Sequence, residues 1–180
     1  MQTLSLPELT IPEYVTETPL GKLVVPGQTI PQRLVVIDPA LIRQLIEAAR
    51  LATETAYHNY STAPFAVGAA CIMADDGEAE IFTAANAEMA VLNGGICAER
   101  ALLHYVVAKG FRRIKYLAVS TPNRGQPDIT GRSPCGLCRQ TMAGFSDADT
   151  LILIDRDEPG MLCDVLDMAR LLPFGYRLQF

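Results

Sequence analysis

The stretch FAVGAACIMADDGEAEIFTAAN, residues 65–86, decides the fold. Residues 65–73 read as a strand, Asp75, Asp76 and Gly77 as turn chemistry, and residues 80–86 as the strand that returns. Upstream stands a helix: Asp38 is a good N-cap, Pro39 suits the first turn, and Leu41, Ile42, Leu45, Ile46, Ala49 and Ala52 recur at helical spacing. Downstream, residues 96–109 read as a helix ended by Gly110, and residues 114–120 as a buried strand. Residues 121–133 hold two Pro and two Gly and read as a loop. Residues 136–144 suit a helix, 151–155 a strand, and 162–172 a last helix stopped by Pro173. Strands that mostly alternate with helices argue for α/β layers, and the opening hairpin makes the sheet mixed.

With 180 residues, 49% hydrophobic and 19% charged, the chain has material for one well-buried domain plus an appendage and is too apolar for a disordered protein. A net charge of −5 argues against a polynucleotide partner, because phosphate contacts need clustered Lys and Arg. No apolar run approaches the roughly 18–20 residues that cross a bilayer, and MQTLSLPELTIPEYV has neither a basic leader nor a continuous apolar stretch. No membrane partner and no signal peptide are expected. Five cysteines, an odd number in a chain too large to need stapling, point to a reducing cytoplasm with thiols kept for chemistry or metal.

Six of the twelve prolines fall in the first 39 residues: Pro7, Pro12, Pro19, Pro26, Pro31 and Pro39. Proline removes a backbone donor and disfavours helix in the residue before it. Residues 1–37 therefore read as an extended proline-rich arm with a short strand at Arg33–Ile37, and residues 38–180 as the folded domain. The arm carries too many apolar residues for a free tail and is expected to lie on the domain or on a neighbouring subunit.

Two clusters carry the chemistry: Cys97-Ala98-Glu99-Arg100, and Ser133-Pro134-Cys135-Gly136-Leu137-Cys138. Three readings are open. A structural zinc site is closed by four protein ligands, and a fourth is hard to find, since His104 lies seven residues past Cys97, about 10 Å along the same helix. Cys71 and Cys163 read as small buried hydrophobes, and His58 as a surface histidine. A dithiol redox centre fits Cys135 and Cys138 but leaves Cys97 and Glu99 unexplained. A catalytic zinc site with three thiolates and one open position uses all of them. Two helix N-termini would then aim their positive ends at the thiolates, and Arg100 beside them would draw off excess negative charge. Glu99 sits two residues from Cys97, which in a regular helix is the wrong face. Both can reach one water only if Cys97 opens the helix, an entry that Gly94-Gly95 would permit. The plainer reading of Glu99 is a first-turn carboxylate favoured by the dipole.

At these residues the chain resembles the zinc-dependent cytidine deaminases, whose signature joins a Pro-Cys-x-x-Cys run to a glutamate. The likeness spans roughly residues 40–176 and is carried by Phe65-Ala66-Val67-Gly68-Ala69-Ala70, Asn86-Ala87-Glu88, Ile96-Cys97-Ala98-Glu99-Arg100, Ser133 to Gln140, and Leu171-Leu172-Pro173. The resemblance implies a three-layer α/β/α sandwich around a mixed five-stranded sheet, and a homotetramer (or a dimer) with sites at subunit boundaries. It implies one Zn2+ per subunit on Cys97, Cys135 and Cys138, with Glu99 as the catalytic proton shuttle. Phe65, Asn86, Glu88, Ala98 and Ser133 would bind substrate: Phe65 beside the ligand, Asn86 and Glu88 at the ribose 3′-hydroxyl, the Ala98 N–H at ring O2, and the Ser133 carbonyl at the departing amine.

The expected reaction is hydrolytic deamination of cytidine or deoxycytidine to the uridine and ammonia, in pyrimidine salvage. The eleven-residue step from Asn86 to Cys97 matches nucleoside deaminases, whereas blasticidin S deaminases are shorter there and lack an equivalent of Glu88. That carboxylate suits a sugar hydroxyl and would repel a phosphate. Without the spacing, Asn86 and Glu88 would read as a strand end and a solvated loop. The alternatives are a deaminase of a modified nucleoside or nucleoside antibiotic, and a non-catalytic zinc-binding module whose arm mediates assembly. Departures from the family pattern are the longer Tyr60–Phe65 segment, Leu92 in place of an aromatic, a 38-residue step from Cys97 to Cys135, and the arm. The family's C-terminal aromatic matches Tyr176 loosely, with Phe174 and Phe180 as candidates.

Overall fold

Five strands form the central sheet of the computed structural model, which describes residues 1–58, 64–77, 80–91, 94–159 and 161–176, with backbone only at Met161. By its contacts the chain divides into two units, Met1–Ile37 and Asp38–Phe180.

The first unit is one long hairpin rather than a lone extended strand. Three antiparallel ladders are nested: β1 (Gln2–Leu6) with β6 (Arg33–Ile37), β2 (Leu9–Ile11) with β5 (Gln28–Ile30), and β3 (Tyr14–Thr18) with β4 (Gly21–Val25). The gaps between ladders hold Pro7 and Pro31 in one and Pro12 and Pro26 in the other, so each residue without an N–H sits where no ladder bond is required. Pro19 and Leu20 make the turn, closed by Gly21 at φ 128°, a conformation an L side chain rarely adopts. The prolines argued correctly against helix, but their matched levels on two strands emerge only once the chain has folded back.

In the second unit α1 (Pro39–Ala52) starts as expected, with the Asp38 carboxylate accepting from the N–H groups of Ala40 and Leu41. There follow β7 (Gly68–Met73), β8 (Phe82–Ala85), α2 (Ala98–Ala108), β9 (Ile114–Ser120), α3 (Gly136–Ala143), β10 (Leu151–Glu158), β11 (Met161–Asp167) and the single turn α4 (Met168–Leu171). The sheet order is β11-β10-β9-β7-β8, with β9 and β10 parallel and every other pair antiparallel. It is the mixed five-stranded sheet that the sequence implied.

Alternation along the strands sends side chains to two covered faces. Ala69, Cys71, Met73, Leu117, Val119, Ile152 and Ile154 join Leu102, Leu103 and Val106 of α2, Met142 of α3 and Leu171 of α4 in one buried cluster. The alternate residues Ala70, Ile72, Ala118 and Leu153 are buried toward α1, which packs on β7 and β9. That makes three layers.

Gly68 marks how tightly they close. A Cβ built there would lie 2.0 Å from the Ala49 carbonyl oxygen and 2.8 Å from the Thr53 nitrogen, both backbone atoms of α1 and its extension. We expect Gly68→Ala to force the first strand off this helix and to lower stability by about 1–3 kcal/mol, read as a lower denaturant midpoint at constant m. An unchanged midpoint would mean that α1 shifts freely.

The strand expected from residue 65 begins at Gly68, because side-chain bonds replace the ladder at its start. Asn86 Oδ1 accepts from Val67 N at 2.8 Å, and its Nδ2 donates to the Phe65 carbonyl at 3.0 Å. The larger correction concerns residues 162–172. They were expected to form a helix, and instead β11 runs antiparallel to β10 before Asp167 caps one helical turn. Short apolar runs fit both periods, and the buried strand β10 would otherwise present an edge of unpaired backbone groups. Among the described residues no helix is long and apolar enough to cross a membrane. Tyr60, Ser61, Thr62, Ala63, Leu92 and Phe180 lie outside the described residues.

Candidate active site

Cys97 is not inside α2 but caps it, with φ −70° and ψ 151°, and Cys135 caps α3 in the same extended conformation. Neither side chain bonds back to its helix as a cap. Both thiols therefore stand free at helix N-termini, where the backbone dipoles favour negative charge. Cys138, one turn into α3, is fully buried. The three Sγ atoms lie within 4.8 Å of one another, Cys135 and Cys138 being 3.4 Å apart. A tetrahedral zinc with Zn–S bonds near 2.3 Å needs sulfurs about 3.8 Å apart, so the set fits that ion. Among the described residues it is the one such group of three potential ligands.

The thiols differ in character. Burial, together with the negative charge of Glu99, pushes the Cys138 thiol far up; burial also raises Cys97. Burial opposes ionisation of Cys135 too, but the Cys138 N–H and the neighbouring thiols outweigh it and bring Cys135 below its usual value. Three thiolates this close need a cation to coexist, which is the chemistry of a metal centre rather than of a redox pair. Cys71 and Cys163 are elsewhere, on β7 and β11, and burial pushes each up to about 12.

Glu99 is the second residue of α2 and only 3% exposed. Because Cys97 lies outside the helix, the two side chains line the same cavity, and the i, i+2 conflict disappears. Burial raises the Glu99 carboxyl, against the pull of its own backbone N–H and the Cys138 thiol. The cavity measures about 510 Å³ and is also lined by Phe65, Asn86, Glu88 and Ser133. No Lys or Arg is among its described lining residues. Asn86 and Glu88 reach it beside a short pairing in which Ala87 and Ile96 exchange two backbone bonds of 2.9 Å. That pairing is the physical content of the eleven-residue spacing.

Ala98 contributes no side chain to the cavity; it is fully buried in the core, and as the first helical residue its N–H has no intrahelical acceptor. Arg100 is half-buried and makes no hydrogen bond or ion pair with the described residues, so the thiolate contact expected of it is not formed.

The cytidine and deoxycytidylate deaminase zinc-binding region, as a family, matches residues 42–154. The chain belongs to this family. A cytidine deaminase from Sporosarcina psychrophila is 33% identical over 135 residues, 75% of this chain and 90% of the relative. One from Halalkalibacterium halodurans is 37% identical over 113 residues, 62% of this chain and 77% of the relative. Among solved structures, a cytidine deaminase from Burkholderia pseudomallei superposes with a TM-score of 0.61 at 32% identity, covering 74% of this chain and 97% of that one. That of Mycobacterium tuberculosis gives 0.58 at 28%, covering 79% and 100%. Membership makes the chain a zinc-dependent aminohydrolase, and the matched region leaves Met1–Ile37 outside.

Arg139 and Gln140, next after the cysteines, carry no mark of their task in the sequence. Arg139 clamps the turn before the cysteines: its Nη2 donates to Ser133 Oγ at 2.5 Å, Nε to the Pro134 carbonyl at 2.7 Å and Nη1 to the Leu171 carbonyl at 3.2 Å. Gln140 pairs twice with the Tyr176 backbone. Tyr176 itself is 69% exposed, and neither it nor Phe174 lines the cavity. Val119 and Thr121, at the end of β9, line it without any local signal in their sequence.

Proposed function

We propose that this deaminase acts on free cytidine or deoxycytidine and releases ammonia and the corresponding uridine. The observation that carries the reading is the buried Glu99 carboxyl beside the three thiols, in a cavity with no Lys or Arg among its described lining residues.

Zinc held by Cys97, Cys135 and Cys138 would supply, when bound, the Lewis acidity that makes a water nucleophilic at neutral pH. Glu99 takes the proton of that water, passes one to N3 of the ring and then assists the amino group to leave as ammonia. Its raised pKa suits a group that must hold a proton between transfers. The free N–H of Ala98 holds ring O2, and the Ser133 carbonyl accepts from the amine. Asn86 spends its oxygen and one N–H on the 65–67 backbone, which leaves the second N–H to join Glu88 at the ribose 3′-hydroxyl. Phe65 packs beside the ligand. The relatives named above favour cytidine itself over a modified nucleoside.

Ammonia release from cytidine by the zinc-loaded protein tests the reading directly, and its absence overturns it. A nucleoside 5′-monophosphate is expected to bind at least about tenfold more weakly than the nucleoside, since Glu88 repels a phosphate and no Lys or Arg among the described lining residues attracts it. A monophosphate that competes better than cytidine would overturn the role of Glu88. For assembly we propose a homotetramer, supported by apolar Met89 and Val91, which line the cavity yet are exposed. Five free cysteines support a reducing, cytoplasmic setting, and a deaminase of free cytidine would serve pyrimidine salvage.

A further inference from the structure

Gly131 and Ser133 line the cavity, while Arg132 between them is 1% exposed and turned into the protein. Its Nη1 donates to the Asp155 carbonyl at 3.0 Å and pairs with Asp164 Oδ2 at 2.8 Å, and its Nη2 reaches the Pro127 carbonyl at 3.4 Å. Both acids are themselves held. The fully buried Asp155 carboxylate takes Arg50 through Nε and Nη2, at 2.8 and 2.7 Å, and Ser120 Oγ at 2.7 Å. Asp164 Oδ1 is 3.1 Å from Arg156 Nη1. The network ties α1, the ends of β9 and β10, and β11 to one arginine of the loop.

We propose that Arg132 is a positioning residue: it pins the 121–133 wall to β10 and β11 and so fixes the Ser133 backbone next to the reacting amine. The inference rests on the role proposed above for Ser133. A buried guanidinium is a poor choice for stability, since burying a charge is expensive, and here the Nε finds no partner among the described residues. What an apolar residue could not supply is direction. Arg132 Nη1 joins a carbonyl on β10, by a hydrogen bond, to a carboxylate on β11, by an ion pair without hydrogen-bond geometry, and so restricts how the chain runs from Gly131 to Ser133. The remaining Ser133 bonds act with it: its N–H donates to Ile129 O at 2.9 Å, and its hydroxyl accepts from Arg139. Neither involves the carbonyl oxygen.

The test uses the zinc-loaded full chain and the variants Arg132→Met and Arg132→Lys, with hydrogen exchange and steady-state kinetics as readouts. In Arg132→Met, exchange within 121–133 is expected to quicken while that of α2 and β9 stays as in the wild type. On cytidine, kcat is expected to fall about 10–100-fold, the effect of a displacement near 1 Å. KM for cytidine and inhibition by uridine, which has no amine for the carbonyl to accept, should stay within about twofold. Arg132→Lys should recover part of kcat. A merely structural role would lower the thermal midpoint and quicken exchange everywhere, with kcat per folded chain unchanged. That result, or an unchanged loop, overturns the proposal. Should Arg132→Met not fold, Asp164→Asn carries the same readouts with a smaller change in the same direction. A wild type that does not deaminate cytidine refutes the function instead, and loop exchange then decides whether Arg132 holds the wall.

Discussion

Glu99→Gln is expected to keep zinc and fold and to lose about 10²–10⁴ in kcat on cytidine, the range that a general acid–base group contributes. The amide fills the same volume at a position only 3% exposed, so the surrounding packing is preserved. It can neither take a proton from water nor return one to the ring. Burial has already raised the Glu99 carboxyl, so a neutral replacement removes a charge that the folded state holds reluctantly. The measurement is ammonia release per bound zinc, with metal analysis on the same sample. Wild-type turnover in a zinc-replete Glu99→Gln would remove Glu99 from the proton path.

The second large effect is expected at Cys138. Cys138→Ser should abolish stoichiometric zinc binding and reduce activity at least about a hundredfold, because a hydroxyl is a far weaker zinc ligand than a thiolate. Cys138 is fully buried between α3 and the sheet, so loss of the ion also leaves a polar oxygen in an apolar cluster and lowers the thermal midpoint. Cys71→Ser is the informative control. Its thiol is buried on β7, held up to about 12 and outside the group of three thiols, and its replacement is expected to weaken stability while zinc per chain stays at one. A Cys138→Ser protein that retained one zinc and full turnover would disprove the ligand assignment.

These outcomes trace back to features of very different legibility. The cap at Asp38, the strand Ile114–Ser120 and the helix over Gly136–Ala143 are local: a capping carboxylate, a buried apolar run and a helix that ends at Gly144 act within a few residues. The two cysteine clusters were legible for the same reason. Cys135 and Cys138 are one helical turn apart, and Glu99 follows Cys97 closely enough that only the extended backbone at Cys97 had to be supplied. The 162–172 segment was misread because its apolar residues suit either period, and what chose strand was the open edge of β10, a partner distant in the fold. The arm hides its pairing likewise. Val15 faces Val24 and Leu4 faces Val35, contacts that close loops of different lengths and leave no mark in any short window.

Arg132 is the extreme case. In the sequence it is one charged residue in a loop of Pro and Gly, where charge ordinarily means solvent. Only the packed structure brings Asp155 and Asp164 to it, from strands 23 and 32 residues further on. The candidate chemistry was therefore legible in the sequence alone: three thiols and a carboxylate, in chain order, which the fold brings to one cavity. How the cavity is walled, and which buried charges hold that wall, was decided by tertiary structure, because hydrogen bonds and ion pairs depend on distances that chain order does not set.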